Sequence, residues 1–331
     1  MNMTATVATF PSDPGDDIFY TLSSIMERYV APTIVLLGVL GNIMSFLILS
    51  LPGYHKQSTC VYMKGMAVSD SIFLLLYVLQ RTVISIKQKE LRESGANFRW
   101  VCDQFLFWNY YSSLASSILL QAMSIDRLLA LIFPLKAKAF SNVGKAKRFV
   151  TTTFVVLGVT LLPINLLRVR QPSLIGWLCP FHFQDADARV FYDHFYSIAS
   201  TYLPLVVIFI SNIGIIIVLE ISRKRRKDLV TDSHSSTNEN VICMLLIVSF
   251  SFLVLKLPVR IRNAFWTYYT GPNTPLVIAV RRFTVTLSEI LEYCNFAFNT
   301  YLYILPVKKF RNDAKSVCFC DTTGLIFSVS S

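Results

Sequence analysis

Charge is scarce in this chain. Only 15% of its 331 residues are Asp, Glu, Lys or Arg, while 53% are hydrophobic and the mean hydropathy is +0.51, a balance that excludes an ordinary soluble domain. Acidic residues are the scarcer kind, 20 against 31 Lys and Arg, for a net charge of +11. In a soluble protein that excess would suggest nucleic acid. Here the basic residues gather in short loops between apolar runs, so they report membrane orientation and no nucleic-acid partner is expected. The first 27 residues lack an apolar core preceded by basic residues, so no cleavable signal peptide is expected. No internal repeat or broken helix near a midplane appears, which argues against a transporter.

What the sequence has in abundance is long apolar runs. From Cys102 the chain passes through Phe105, Phe107, Trp108, Leu114 and Leu119 with no charge between Asp103 and Asp126, about the 20 residues that a bilayer requires. Comparable runs lie at about 29–51, 62–86, 149–167, 195–221, 241–266 and 276–305, with Pro163 expected to end the fourth and Pro204 to kink the fifth. The reading is an all-α membrane protein, a seven-transmembrane helix bundle. Residues 1–28 are expected to form an acidic, disordered extracellular tail, 29–306 the bundle and 307–331 a cytoplasmic tail. Basic clusters after the third run (Lys136, Lys138, Lys145, Lys147, Arg148) and the fifth (Arg223–Lys227) mark the inner side. The amino terminus then lies outside, although Lys87, Lys89, Arg92 and Arg99 also fall outside.

The few polar residues inside the runs are the candidates for chemistry, because each must face the bundle interior or find a partner. Asn42, Asp70, Ser116, Asn295 and Asn299 interrupt apolar mid-spans, and the two asparagines share a face. Lys256 lies in the sixth run between apolar neighbours, with Pro258 following. Glu289 and Glu292 share a face of the seventh, and Asp126–Arg127 closes the third at the inner interface. Two readings of Arg127 stay open, a working charge or a side chain that snorkels to headgroups.

These residues carry a resemblance to the rhodopsin-like (class A) G-protein-coupled receptors over nearly the whole chain. It rests on Gly41–Asn42, Ala67–Asp70, Cys102, Asp126–Arg127–Leu128, Pro204, Phe252 with Pro258, Asn299–Tyr303, and Lys308–Arg311 as a short amphipathic eighth helix. Departures are Leu128 where Tyr is usual, no Trp in the fourth run, Asn212 for a Tyr, Lys256 for the sixth-helix Trp and Thr300 for the seventh-helix Pro.

The resemblance implies a plasma-membrane receptor, not an enzyme, that activates heterotrimeric G proteins by outward movement of the sixth helix, with arrestin as a further partner. It assigns switch roles to Asp126, Arg127, Phe252, Pro258, Asn299 and Tyr303, and a disulfide to Cys102 and Cys179. It also implies a resting-state sodium ion at Asp70, Ser116, Asn295 and Asn299, for which a hydrated network without an ion is the alternative. Cys318 and Cys320 suit palmitoylation, and Asn2 heads a short glycan acceptor pattern. Asn109 stands where amine receptors carry an Asp, and Tyr293 where opsins carry their retinal Lys. Arg81, Asn109, Tyr110, Lys256, Arg260, Glu289, Glu292 and Tyr293 remain as ligand contacts, which favours a neuropeptide-like peptide, unless the charges only neutralise one another. Within that set a Lys256–Glu292 pair is expected, with Glu289 free to receive a basic ligand group.

Overall fold

The computed structural model describes residues 14–54, 56–79, 81–82, 97–136, 141–166, 168–170, 181–183, 194–227, 236–304 and 308–319. Helix α1 runs in three contiguous pieces, Pro14–Ile25, a wider π turn at Met26–Val30, and Ala31–Leu49. Helix α2 is Ser58–Ile72 continued by a π turn at Phe73–Val78, α3 is Asn97–Ile132 and α4 is Val143–Leu166. Helix α5 starts at His194, passes through a π turn at Ile198–Tyr202 and continues as Leu203–Lys227; α6 is Ser236–Tyr268. Helix α7 has two pieces, Pro275–Ala297 and Asn299–Ile304, and α8 is Lys308–Phe319. Between α4 and α5, strands β1 (Arg168–Arg170) and β2 (Phe181–Phe183) pair antiparallel with Arg168 opposite Phe183, a small addition to the all-α expectation.

Burial is inverted relative to a soluble protein. Leu36, Leu40, Phe209, Ile210 and Phe250 are exposed, while Asn42, Asp70, Ser113, Ser117, Thr201 and Lys256 are buried. That is the arrangement lipid demands, with apolar side chains outward and polar ones paired within. Among the described residues four helices are long and apolar enough to cross a membrane, Ile18–Leu49, Ser58–Val78, Phe107–Ile132 and His194–Ser222. Helices α4, α6 and α7 carry more charge, including Lys145, Lys147 and Arg148 on α4 and Lys256, Arg260, Arg262, Glu289 and Glu292 on the other two.

Two large apolar clusters fill the interior, beside a small one of Leu114 and Leu161 between α3 and α4. One, at the Asp126 end, joins Ile48, Met66, Leu119, Met123, Phe252, Tyr303 and Phe310. The other joins Val35, Phe73, Tyr77, Tyr293 and Phe296 of α1, α2 and α7, with the Phe73 and Phe296 rings stacked 3.8 Å apart. Close approach of α1 requires Gly38, since a Cβ there would lie 2.5 Å from Leu74 Cδ1 and 2.8 Å from Ala297 Cα.

Helix α1 corrects the expected disordered tail, because helix begins at Pro14. Proline at the first position and Asp16–Asp17 in the first turn suit a helix start. The apolar residues that follow have somewhere to pack, with the Phe19 ring 5.5 Å from Phe283 of α7. Helix α4 continues to Leu166, past Pro163 where its end was expected. The bend expected at Pro204 takes the form of the preceding π turn. Proline lacks the N–H that would bond the carbonyl four residues back, and that carbonyl, Ser200 O, instead accepts Ser117 Oγ at 3.0 Å.

Helix α7 breaks at Phe298 without a proline. Its polar atoms tie to α1, with Asn42 Nδ2 donating to Phe296 O at 3.1 Å and Thr300 Oγ1 to Gly41 O at 2.7 Å. Helix α8 docks under the Asp126 end. Tyr54 donates to Asp313 Oδ2 at 2.6 Å, and burial, then the Asp313 carboxylate, hold the Tyr54 phenol above its usual range. Phe310 fills the space between the Tyr54 and Tyr303 rings, 6.4 and 6.0 Å away.

Candidate functional site

The interior of α2, α6 and α7 away from Asp126 is ionic. Lys256 is 1% exposed. Its Nζ lies 3.5 Å from Glu292 Oε1 and donates to Ser113 Oγ at 2.8 Å. The Phe296 and Phe252 rings complete the surroundings at 4.6 and 5.6 Å. Thus the structure brings together the two residues that the sequence reading paired, and adds Ser113, which that reading missed because hydroxyls give no signal among many serines.

Glu289 corrects the expectation. It is not free for a basic ligand group, because Arg81 Nη2 lies 2.5 Å from its Oε2 and Arg262 Nη1 3.8 Å from its Oε1. Two guanidiniums converge on one carboxylate, and Arg262 Nε is buried with no hydrogen-bond partner. Beside this group a narrow cleft opens between α1, α2 and α7, lined by Glu27, Arg81, Glu289 and Tyr293 among others. Glu27 closes its rim, accepting from Thr286 at 3.3 Å and pairing with Arg282 at 3.6 Å.

Arg260, one turn from Lys256 on α6, faces α5 instead. Its Nε donates to Thr201 Oγ1 at 2.7 Å and its Nη2 to Ser200 Oγ at 3.0 Å, with the guanidinium over the Tyr196 ring at 5.3 Å. Tyr196 meets Tyr110 of α3 edge-on at 4.2 Å, and Asn109 beside it is half-buried. Of the aromatics of α5 and α6 near this end, Trp266 donates to Thr284 at 3.1 Å, whereas Tyr202 and Tyr268 are exposed.

Deeper in the bundle Asp70 is fully buried, and Asn299 Nδ2 donates to its Oδ2 at 2.7 Å. Ser116, Ser69 and Lys256 are its other polar neighbours, and Asn295 is buried one turn along from Asn299. Its Oδ1 is buried without a hydrogen-bond partner. Among the described residues no group of three or more His, Cys, Asp or Glu is placed to hold a metal ion, and the polar groups around this carboxylate are an amide, hydroxyls and an ammonium.

At the opposite end of the bundle from the ionic group Arg127 is locked to its neighbour. Its Nη2 donates to Asp126 Oδ2 at 2.7 Å, and Ser58 Oγ and Ser141 Oγ donate to the same oxygen at 2.8 and 3.1 Å while also accepting from Arg127. Phe252 is buried on α6 with Pro258 inside the same helix. Tyr303 Oη and Asn212 Oδ1 are buried without partners. Asn2, Cys179 and Cys320 lie outside the described residues, as do the side chains of Cys102 and Cys318, which sit on α3 and α8.

Residues 41–303 match the family 7 transmembrane receptor (rhodopsin family). Relatives include growth hormone secretagogue receptor type 1 of Homo sapiens, 23% identical over 90% of this chain and 82% of its own. Neuromedin U receptor homolog nmur-2 of Caenorhabditis elegans is 25% identical over 92% and 83%. A third, probable G-protein coupled receptor B0563.6 of the same worm, is 23% identical over 62% and 49%. With polar side chains turned inward, an ionic interior at one end and a locked arginine at the other, the chain belongs to the rhodopsin family of seven-transmembrane receptors, and it is a G-protein-coupled receptor and not an enzyme.

Proposed function

We propose that this protein is a plasma-membrane receptor for an extracellular peptide, with its amino terminus outside, all seven long helices crossing the bilayer and α8 lying against the cytoplasmic face. The relatives are receptors named for growth hormone secretagogues and neuromedin U, which supports a peptide ligand. The observation that carries the reading is the Arg127 lock. An arginine held by an adjacent carboxylate and two serines from other segments is a two-state element that ligand can bias.

In this reading Arg81, Asn109, Tyr110, Lys256, Arg260, Glu292 and Tyr293 receive the ligand, with Glu289 serving as counter-ion to Arg81 and Arg262. Asp126, Arg127, Phe252, Pro258, Asn299 and Tyr303 transmit the change by outward movement of α6, which opens a groove for a helix of a heterotrimeric G protein. A sodium ion at Asp70, with Ser116, Asn295 and Asn299, stabilises the resting state. Cys102 and Cys179 are bridged outside, where a tether would hold the outer loop over the bundle. Cys318 and Cys320 carry lipid, Asn2 a glycan, and arrestin follows activation. Cells expressing the full chain, screened with a neuropeptide library for G-protein activation, test the reading. Activation by one peptide series and not by untransfected controls is expected, whereas activation only by amines or lipids contradicts the peptide assignment.

A further inference from the structure

The charges in the outer half of the bundle do not balance. Leaving aside Arg281 and Arg282 at the rim, where Arg282 pairs with Glu27 of α1, the described charges inside α2, α6 and α7 there are Arg81, Lys256, Arg260 and Arg262 against Glu289 and Glu292. Counting Asp70 as well, whose Oδ2 already accepts from Asn299, still leaves one positive charge uncompensated. The partners show where the excess sits. Arg81 and Arg262 share Glu289, and Lys256 has Glu292. Arg260 is held by two neutral hydroxyls and an aromatic ring, and no carboxylate among the described residues forms an ion pair with it. Yet it is only 6% exposed. A guanidinium in that setting has lost water without gaining an opposite charge, which is costly unless an anion arrives.

We propose that the ligand presents an anionic group, a carboxylate on an acidic residue or a free carboxyl terminus, to Arg260 between α3, α5 and α6. Three features suit that group. The planar guanidinium matches a carboxylate bidentately. The Ser200 and Thr201 hydroxyls that occupy it in this structure can turn and donate to the same anion. Lys256, one turn deeper on the same helix, adds positive field. The proposal rests on the peptide reading and reverses the charge first expected of the ligand, because Glu289 is already committed to two arginines.

The test uses synthetic peptides in matched pairs that differ only in charge, Glu against Gln at internal positions and free carboxylate against amide at the carboxyl end. Each is assayed for nucleotide exchange on membranes holding the full chain. Activation is expected from the acidic member of a pair, with about 10- to 100-fold lower potency for the neutral member. The Arg260→Gln receptor should lose the same factor for the acidic peptide and no longer distinguish the two. Neutral members that activate as well as their acidic partners would overturn the proposal while leaving the peptide reading intact. Acid preference that persists in Arg260→Gln would likewise overturn it.

A ligand-independent arm uses Arg260→Met in purified receptor. Removing an uncompensated buried cation is expected to raise the melting temperature of the ligand-free protein. A lower melting temperature would mean that the hydroxyls and the ring already satisfy Arg260, and the proposal would fall even if a peptide agonist had been found.

Discussion

Lys256 and Glu292 meet across α6 and α7, Nζ 3.5 Å from Oε1, and the same ammonium donates to Ser113 on α3. Three helices therefore share one buried charge, at the position where the family usually places an aromatic side chain. Removing one partner leaves the other buried and unpaired, at a cost of about 3–5 kcal/mol. Lys256→Met and Glu292→Gln should each lower the melting temperature and surface expression, and the double substitution should recover much of both. Silent single variants, or a double variant impaired by the sum of the two, would show that the pair contributes nothing.

The contact of α1 with α2 and α7 predicts a contrast between two glycines. At Gly38 a Cβ meets Ala297 backbone at 2.8 Å, whereas at Gly41 its nearest neighbour is a Tyr301 ring atom at 3.2 Å. Gly38→Leu should cost at least about 1–3 kcal/mol through overpacking, while Gly41→Ala should change the melting temperature little. Equal tolerance at both positions would mean that α1 sits farther from α7.

Tyr303 Oη is buried without a partner, and its ring packs on Phe310. Tyr303→Phe keeps the ring and deletes an unsatisfied hydroxyl, so the resting receptor should be as stable or slightly more stable. A loss of about 1 kcal/mol or more in thermal unfolding would reveal a partner for the hydroxyl in the resting state.

Asp70 Oδ1 is the unpaired atom of a carboxylate that Asn299 holds by its other oxygen. Sodium chloride should raise the melting temperature above choline chloride at equal ionic strength, and Asp70→Asn should remove that difference. A wild-type receptor indifferent to the cation would leave the Lys256 ammonium as the only positive charge serving Asp70.

Much of this arrangement is legible in the sequence because a polar residue in an apolar span has few places to go. Asp70 and Asn299 meet, as do Lys256 and Glu292, and Arg127 rests on Asp126. Partner choice is less legible where several groups compete. Spacing sets Glu289 on the face of Glu292, yet it carries no record that Arg81 on α2 and Arg262 on α6 would converge there first. The hydroxyls of Ser113, Ser200 and Thr201 were hidden for another reason: serine and threonine usually bond their own helix, as Thr82 and Ser124 do here. The helix from Pro14 is hidden in the sequence by its acidic start, and the ring on which Phe19 packs, Phe283 of α7, lies more than 250 residues away.

The central claim, a receptor that passes ligand binding on to G protein through Arg127, is tested most directly by nucleotide exchange on purified G protein in membranes holding wild-type or Arg127→Ala receptor. Wild-type receptor should accelerate exchange when an agonist peptide from the library screen is added. Arg127→Ala should show no acceleration while binding the peptide within a few-fold of wild type, since the change lies at the opposite end of the bundle from the ionic site. Full agonist-driven exchange by Arg127→Ala would contradict the account.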